Sequence, residues 1–196
     1  MHWSSHGGAA TIGAMPQRAT PLPVVIQEVD ALDTPIRDAL ATILVRVVDD
    51  GASVGFIAPL SHDRARLFWD ALPRPGVHLF VATVEAHDGA DHTVVGTAQL
   101  HLAGQENGRH RAEVAKVLVH PDWQRRGIAR ALLGALESRA SDLGRTTLLL
   151  DTREGDPSND LYTAAGYTQV GRIAEYCRSN NGSLDATIFY AKWLPR

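Results

Sequence analysis

Hydrophobic and polar positions change their period along the chain. The short β-branched run VVIQEV (Val24–Val29) predicts a first strand. In TPIRDALATILVRVVDD the apolar residues recur at helical spacing, and Thr34 followed by Pro35 marks the start of a helix, where the missing proline N–H costs nothing. After GASVGFIAPL, which contains two glycines and a proline, SHDRARLFWDAL predicts a second helix with Ser61 as its N-cap.

From residue 77 the pattern is typical of strands. Three segments alternate between apolar and polar positions: VHLFVATVEA, HTVVGTAQLHLA and HRAEVAKVLVH. They are separated by HDGAD and GQENG, which have the composition of hairpin turns. The three segments therefore predict an antiparallel meander.

The remaining segments predict how the sheet is completed. A long helix is expected from Gln124 to Leu143, with Gly144 as its stop signal. TTLLLD predicts a central strand, PSNDLYTAAG a short helix, and YTQVGRI and LDATIFYAKWL two closing strands around the turn SNNGS. The order β-α-α-β-β-β-α-β-α-β-β predicts an α/β (α+β) domain, a mixed sheet of about seven strands flanked by about four helices.

Composition limits the domain count and the cellular setting. The chain has 196 residues, 44% of them apolar, which fits one domain spanning residues 24–196. Residues 1–23 are rich in Gly, Ala, Ser, Thr and Pro and predict a flexible arm. A single cysteine, Cys177, excludes an intramolecular disulfide, and no apolar stretch approaches the roughly 20 residues of a membrane span. A cytoplasmic protein with no membrane partner is expected.

Charge and histidine spacing exclude further classes of partner. The net charge is -3 and no run of Lys and Arg is present, so the sequence lacks the clustered positive charge that nucleic acid binding needs. Nine histidines are spread along the chain, and none has metal-ligand spacing with another His, Cys or carboxylate. No nucleic acid partner and no metal are predicted.

The segment QRRGIA has the features of an anion site. It lies where the third meander strand gives way to the long helix, whose first N–H groups are unpaired and whose dipole is positive. Gly127 lets a ligand approach the backbone, the small Ala129 does nearly the same, and Arg125 and Arg126 add positive charge. A diphosphate suits such a site. From these residues alone, an ordinary turn with solvated arginines stays open as the alternative.

The longer segment VLVHPDWQRRGIARALLGALE resembles the acetyl-CoA motif of the GNAT acetyltransferase superfamily. The motif pattern Q/R-x-x-G-x-G/A matches Gln124, Gly127 and Ala129, and the predicted order of elements is similar to that fold. The resemblance implies an acetyl-CoA donor whose pantetheine amides pair with the strand at Val117, Leu118 and Val119. It also implies that the diphosphate is bound by the loop N–H groups of Arg125, Arg126, Gly127, Ile128, Ala129 and Arg130.

A second segment, SNDLYTAAGY, is similar to another motif of the superfamily. By this resemblance Asn159 contacts the cofactor arm and Tyr162 serves the leaving thiol. A phenol suits that task because its ordinary pKa of about 10 keeps it protonated until thiolate forms. The alternative for Tyr162 is a tyrosine that packs the helix against the sheet.

Within the superfamily, several segments resemble the acetyltransferases of tabtoxin resistance, which acetylate a toxic β-lactam amino acid. These segments are GASVGF, RAEVAK, LDTREG, YTAAGYTQVG and EYC. The resemblance implies an acceptor pocket lined by Ser53 and Phe56, and by Tyr176 in the connection between the last two strands. It also implies that Glu113 and Asp151 act on the acceptor amine.

Acetyl transfer to an amine needs a proton acceptor, because a free alkylamine with a pKa of about 10 is mostly protonated near pH 7. Paired carboxylates in a closed cleft are suited to the task and attract a cationic substrate. The alternatives are an exposed strand carboxylate for Glu113, paired with Arg111 or Lys116, and a strand-end cap for Asp151. Lys116 itself is interpreted as a solvated or salt-bridged strand residue, and Cys177 as part of a pocket wall.

Three functions remain open at this point. The first is an N-acetyltransferase acting on a primary amine of a small molecule, a toxin or antibiotic-like amino acid, by direct attack in a ternary complex. The second is a protein N-terminal or lysine acetyltransferase, which needs an open groove and is disfavoured by the loop at residues 51–56. The third is a module that senses acetyl-CoA without turnover. A homodimer is expected because dimers are frequent in this fold.

Overall fold

The computed structural model describes residues 23–85 and 92–195. The strands are β1 Val24–Val29, β2 Val77–Glu85, β3 His92–Leu102, β4 Arg111–Val119, β5 Thr147–Arg153, β6 Thr168–Arg178 and β7 Leu184–Trp193. The helices are α1 Thr34–Asp49, α2 His62–Asp70, α3 Ile128–Asp142 and α4 Ser158–Ala164. The predicted order of elements is confirmed. Most of the predicted arm and the predicted turn HDGAD lie outside the described residues.

The seven strands form one mixed sheet in the order β1-β2-β3-β4-β5-β7-β6. Only β4 and β5 run parallel; the other neighbouring strands are antiparallel. Alternate residues of β2 define the two faces: Leu79 packs with α1 and α2, whereas Phe80 packs with α3. Helices therefore cover both faces, which confirms the predicted fold class. No helix of the described residues is long and apolar enough to cross a membrane.

The parallel pair of strands is short, and this opens the sheet. Residues 111–113 of β4 pair with residues 147–149 of β5. Beyond this point β4 continues against β3 alone, and β5 continues against β7 alone. Backbone groups on the inner edges of both strands are thereby left without a ladder partner. A cleft results in the middle of the sheet.

A bulge in β4 changes which face its side chains occupy. Ala112 and Val114 belong to the core beneath α3, but Leu118 belongs to the core beneath α1. Strict alternation puts all three on one face, together with Lys116. The pairing of β4 with β3 shifts register in this region, and Lys116 has a φ of 50°. The bulge therefore turns the lysine away from the α3 core, toward the face that carries α1 and α2.

Two sequence predictions of local structure are wrong. The long helix begins at Ile128 rather than Gln124, because Arg125 and Gly127 have φ values of 61° and 83°, which a right-handed helix does not allow. The predicted start of α1 at Thr34 is confirmed, and Asp33 before it is the N-cap, because its carboxylate accepts a hydrogen bond from the N–H of Ile36. The segment EYC lies within β6 and not in the connection after it, since β6 extends to Arg178.

Candidate active site

The turn before α3 presents free backbone donors. Gly127 is the N-cap and provides no side-chain cap, and the first turn of the helix carries no acidic side chain. The first intrahelical bond runs from the N–H of Ala131 to the carbonyl of Gly127, at 3.0 Å. The N–H groups of Ile128, Ala129 and Arg130 precede it, have no partner within the helix and form the positive end of its dipole. This arrangement fits a diphosphate.

The two arginines of the turn differ in their surroundings. Arg126 stacks its guanidinium 4.5 Å from the ring centre of Trp123 and donates to the carbonyl of Asp122 at 3.1 Å. Arg125 is exposed, with its backbone in the left-handed region. Arg126 is thus tethered to the preceding turn while Arg125 is free to meet a bound anion.

The end of β4 borders the cleft and leads directly into this turn. Leu118 and Val119 pair with Thr97 and Gly96 of β3, so the opposite edge of β4 faces the opening. The side-chain amide of Gln124 lies 3.5 Å from the carbonyl of Val119. A chain with amide groups, such as pantetheine, has backbone partners available along Val117, Leu118 and Val119.

The two predicted carboxylates lie on one face at the mouth of the cleft. Glu113 is opposite Leu149 in the last parallel pair, and Asp151 follows two residues later on β5. Both side chains are accessible to solvent. Even so, desolvation by the surrounding protein raises the pKa of Asp151, the negative charge of Glu113 raises it further, and Lys116 partly opposes both. A carboxylate with a raised pKa is suited to accept a proton.

Tyr162 is buried on α4 within a group of aromatic rings. Its ring centre lies 6.0 Å from those of Tyr167 and Tyr190. Burial, followed by the charge of Asp151, raises the pKa of its hydroxyl above the ordinary value. The hydroxyl therefore stays protonated at neutral pH. Tyr162 thus packs the helix against the sheet, and its role toward the leaving thiol stays a prediction.

Asn159 is largely occupied by the protein itself. Its amide donates to the carbonyls of Arg153 and Asp156, both at 2.8 Å, and its Oδ1 accepts from the hydroxyl of Tyr190 at 2.9 Å. One lone pair of Oδ1 is left for a ligand. The side chain secures the turn between β5 and α4, and any contact with a cofactor arm is limited to that lone pair.

The loop between α1 and α2 covers the face of the sheet that carries the two carboxylates, and residues far away in sequence hydrogen-bond to it. The guanidinium of Arg153 donates to the carbonyl of Gly51 at 2.9 Å. Asn180, in the turn after β6, donates to the carbonyl of Val48 and accepts from the N–H of Ala58. Ser53 in this loop is half-buried. The loop is thus fixed by residues far away in sequence.

Aromatic side chains border this face on both sides. Phe56 of the loop packs edge to face on Phe68 of α2, with ring centres 5.4 Å apart. Tyr176 packs in the same manner on Phe189, at 5.3 Å, and Phe189 is the β7 partner of Asp151. The ring of Phe189 therefore lies between Tyr176 and Asp151. Tyr176 belongs to β6, whereas the sequence predicted it in the connection between the last two strands.

Comparison with known proteins identifies the family. The sequence model described as the acetyltransferase (GNAT) family matches residues 47–167, which is more than half of the chain. The chain belongs to this family. Enzymes of the GNAT family use acetyl-CoA, so the chain is an acetyl-CoA-dependent N-acetyltransferase with acetyl-CoA as its acetyl donor.

Solved structures share the fold of this GNAT acetyltransferase at low sequence identity. A ribosomal-protein-alanine N-acetyltransferase from Brucella melitensis is 21% identical with a TM-score of 0.70, over 87% of this chain and 99% of that one. The yncA protein of Salmonella typhimurium, solved with its cofactor acetyl-CoA, is 20% identical with a TM-score of 0.70, over 88% and 95%. A candidate phosphinothricin N-acetyltransferase is 16% identical, with a TM-score of 0.70, over 89% and 100%.

One residue of the GNAT acetyltransferase site differs from its sequence interpretation. Lys116 is half-buried, and a Cβ on Gly55 of the α1–α2 loop would lie 3.4 Å from its Nζ. It forms no ion pair with any described carboxylate. Desolvation lowers its pKa, against the opposing influence of Glu113 and Asp151. The sequence contained one sign of this burial: Lys116 occupies a position of β4 where the alternation of apolar and polar residues predicts a buried side chain.

Proposed function

We propose that this GNAT acetyltransferase transfers the acetyl group of acetyl-CoA to a primary amine of a small molecule, a toxin or antibiotic-like amino acid, by direct attack in a ternary complex. The observation that carries the proposal is the position of Glu113 and Asp151 on one face where β4 and β5 separate. At this place an amine can meet both carboxylates while the cofactor occupies the cleft edge.

Acetyl-CoA fits the cleft through backbone groups. The N–H groups of the turn from Arg125 to Arg130 hold the diphosphate, because they lie at an uncapped helix start that lacks acidic side chains. The free edge of β4 at residues 117–119 holds the pantetheine amides. When bound, acetyl-CoA supplies an acetyl group activated as a thioester. The residues of the chain orient it with the acetyl end toward the carboxylates.

The carboxylates prepare the acceptor amine. Asp151, whose pKa is raised, and Glu113 beside it act together as the acceptor of the ammonium proton, directly or through water. Together they also attract the positively charged amino group of the acceptor. Tyr162 holds a proton at its hydroxyl that is available to the thiol sulfur as it leaves.

A small acceptor is favoured over a protein segment by the α1–α2 loop. Arg153 and Asn180 fix this loop over the carboxylate face, so an open groove for an extended peptide is disfavoured. The resemblance of Gly51–Phe56 to the tabtoxin-resistance acetyltransferases supports an amino-acid acceptor. The solved relatives carry names of both protein and small-molecule acetyltransferases, so they do not select between the two.

The deciding experiment is CoA release by the purified protein with acetyl-CoA and a panel of amines. The panel contains the tabtoxin warhead, other toxic amino acids, aminoglycosides, polyamines and a lysine peptide. Saturable turnover on an amino-acid toxin supports the proposal. Turnover on the lysine peptide alone establishes the protein acetyltransferase, and tight acetyl-CoA binding without turnover supports the sensing module.

A variant pair assigns the chemistry within that assay. We expect Glu113→Gln to lower kcat by about 10²- to 10⁴-fold while the affinity for acetyl-CoA stays unchanged, because the carboxylate faces the acceptor. Glu175→Gln, an exposed glutamate of β6, is the matched control and is expected to keep full activity. Equal rates for Glu113→Gln and the unaltered enzyme remove Glu113 from the mechanism.

A further inference from the structure

A second cavity lies beside the carboxylate face, between α2 and the strands β3 and β4. Its volume is about 190 Å³. Its apolar wall includes Phe68 and Leu72, and its polar lining consists of Arg74, Gln99, His101 and Lys116. The polar side chains include two cations and no carboxylate. None of the four was assigned to the acceptor site from the sequence.

Gln99 leaves an unused donor at this cavity. Its side chain is 1% exposed, and its Oε1 lies 2.8 Å from Nε2 of His101. Burial, and then the charges of Arg74 and Lys116, lower the pKa of His101. A neutral His101 donates through Nε2–H to Oε1, and this fixes the orientation of the amide. The Nε2 group of Gln99 is buried and has no hydrogen-bond partner among the described residues.

The two cations at the cavity differ in burial: Arg74 is exposed, whereas Lys116 is half-buried, with its Nζ 5.9 Å from the ring centre of Phe68. Neither Arg74 nor Lys116 forms an ion pair with a carboxylate of the described residues. A buried donor without an acceptor is unfavourable, as is a half-buried cation without an anion. A carboxylate satisfies all three groups, because it accepts several hydrogen bonds and carries the opposite charge.

The cavity is close enough to the proposed base for one small molecule to reach both. Glu113 is the direct partner of His101 across β3 and β4, and Ala115 is the partner of Gln99. Partners in an antiparallel pair lie about 5 Å apart, and diagonal neighbours about 7–8 Å. Lys116 is common to the two places, since it lines the cavity and its charge also lowers the pKa of Asp151.

We propose that this cavity binds the carboxylate of the acetyl acceptor, through Gln99, Lys116 and Arg74, so that the acceptor is an amino acid held with its amine at Glu113 and Asp151. This inference rests on the proposed function for the identity of the acceptor. It adds the residues that select a carboxylate, and it predicts that amines without an acidic group are poor substrates.

Occupation of the cavity is tested without turnover. The experiment follows the NMR signals of the Gln99 side-chain amide in ¹⁵N-labelled full-length protein, and a Gln99→Leu variant assigns them. The protein is titrated with the amino acids of the panel and, separately, with their carboxamides, each up to about 10 mM. We expect the amino acids to shift these signals and the carboxamides to leave them in place. Equal shifts by both series, or no shift by any amino acid, overturn the proposal.

A kinetic comparison tests selectivity and separates the two proposals. We expect Arg74→Gln to raise the KM for amino-acid acceptors by about tenfold and to leave kcat unchanged, because a charge-assisted contact to the carboxylate is lost. Arg66→Gln, on α2 but paired with Asp38 of α1 and not part of the cavity lining, is the control with unchanged KM. Carboxamides used as efficiently as the acids overturn the cavity proposal while acetyl transfer stands. Shifts of Gln99 by acids without any CoA release support the cavity and contradict the proposed function.

Discussion

Glu113 stands opposite Leu149 in the final parallel pair of β4 and β5, and the strands separate immediately beyond it. Asp151 therefore lies on the same face as Glu113, past the last point where the two strands are joined. The repulsion between the two carboxylates contributes to the raised pKa of Asp151. Desolvation is the larger cause of the raised pKa, so the end of the strand ladder sets the position of Asp151 and a part of its tendency to hold a proton.

The pH dependence of the reaction should follow Asp151. Below its raised pKa the carboxyl is protonated and accepts no proton from the amine, so we expect kcat/KM to fall as the pH decreases through that pKa. Glu113→Gln removes a negative charge and should shift the titration of Asp151 to lower pH. Carbon-13 NMR of the Asp151 carboxyl measures this independently of turnover. An identical titration in both proteins contradicts the coupling.

Asp151→Asn is expected to make the protein more stable above the titration range. Desolvation disfavours the ionised carboxylate in the folded state, so the folded pKa lies above the unfolded one. The cost is absent at low pH, where the group is protonated in both states, and appears as the pH rises through the two pKa values. The asparagine variant avoids it at every pH. The difference between the melting temperatures of the two proteins should therefore be larger at pH 8 than at pH 3.

Most of the fold was predictable because the periods of the sequence are regular. The apolar spacing of α1 matches its buried face, and the strand-like segments β2 and β3 form central strands that are buried on both faces of the sheet. The start of α3 was not predictable from periodicity, because positive φ values at Arg125 and Gly127 interrupt the helix there. Sequence patterns show which residues are apolar but not where a non-glycine residue adopts a left-handed conformation.

The candidate site was predictable as far as its motifs extend. Glu113, Asp151 and Tyr162 lie on adjacent elements, and the charge of Asp151 acts on the Tyr162 hydroxyl. The half-buried position of Lys116 was not predicted. A bulge moves its side chain to the opposite face of the sheet, and the bulge depends on the pairing of β4 with β3 rather than on local sequence. Gln99 was missed because its importance comes from an unpaired atom, which only the folded surroundings define.

Tyr162→Phe should separate chemistry from packing. We expect kcat to fall by about 10²-fold or more, because the proton available to the thiol sulfur is lost. The KM for acetyl-CoA and the unfolding midpoint should change little, since the ring keeps its contacts with Tyr167 and Tyr190. Tyr167→Phe is the control: its pKa is raised by burial and Glu137, not by Asp151. Equal loss of activity in both variants indicates a packing effect.

Gly127→Ala should weaken cofactor binding through the backbone alone. A Cβ at this position meets no atom within 4 Å, but the φ of 83° costs an L residue about 1–2 kcal/mol. We expect lower stability by that amount and a higher KM for acetyl-CoA as the turn shifts. Gly134→Ala, inside α3 with equally open space, should instead stabilise by about 0.5–1 kcal/mol. Chemical denaturation and acetyl-CoA titration of both variants give the comparison.

Arg153→Met should loosen the acceptor side of the site more than its cofactor side. The guanidinium joins three segments through Asp156, the hydroxyl of Ser179 at 2.7 Å and the carbonyl of Gly51 at 2.9 Å. Its loss leaves partly buried groups unpaired, which is expected to cost about 2–4 kcal/mol of stability. The KM for the acceptor should rise because the α1–α2 loop loses its tie, whereas the KM for acetyl-CoA should not.

The control for this change is Arg172→Met, which removes another arginine that bonds a carboxylate with two nitrogens. Arg172 and its partner Glu154 are both about half exposed, at 48% and 47%, so water screens the pair and its loss should change stability little. Denaturation midpoints and acceptor kinetics of the two variants should therefore differ clearly. Equal stability and equal acceptor KM for both contradict the role of Arg153 in holding the loop over Glu113 and Asp151.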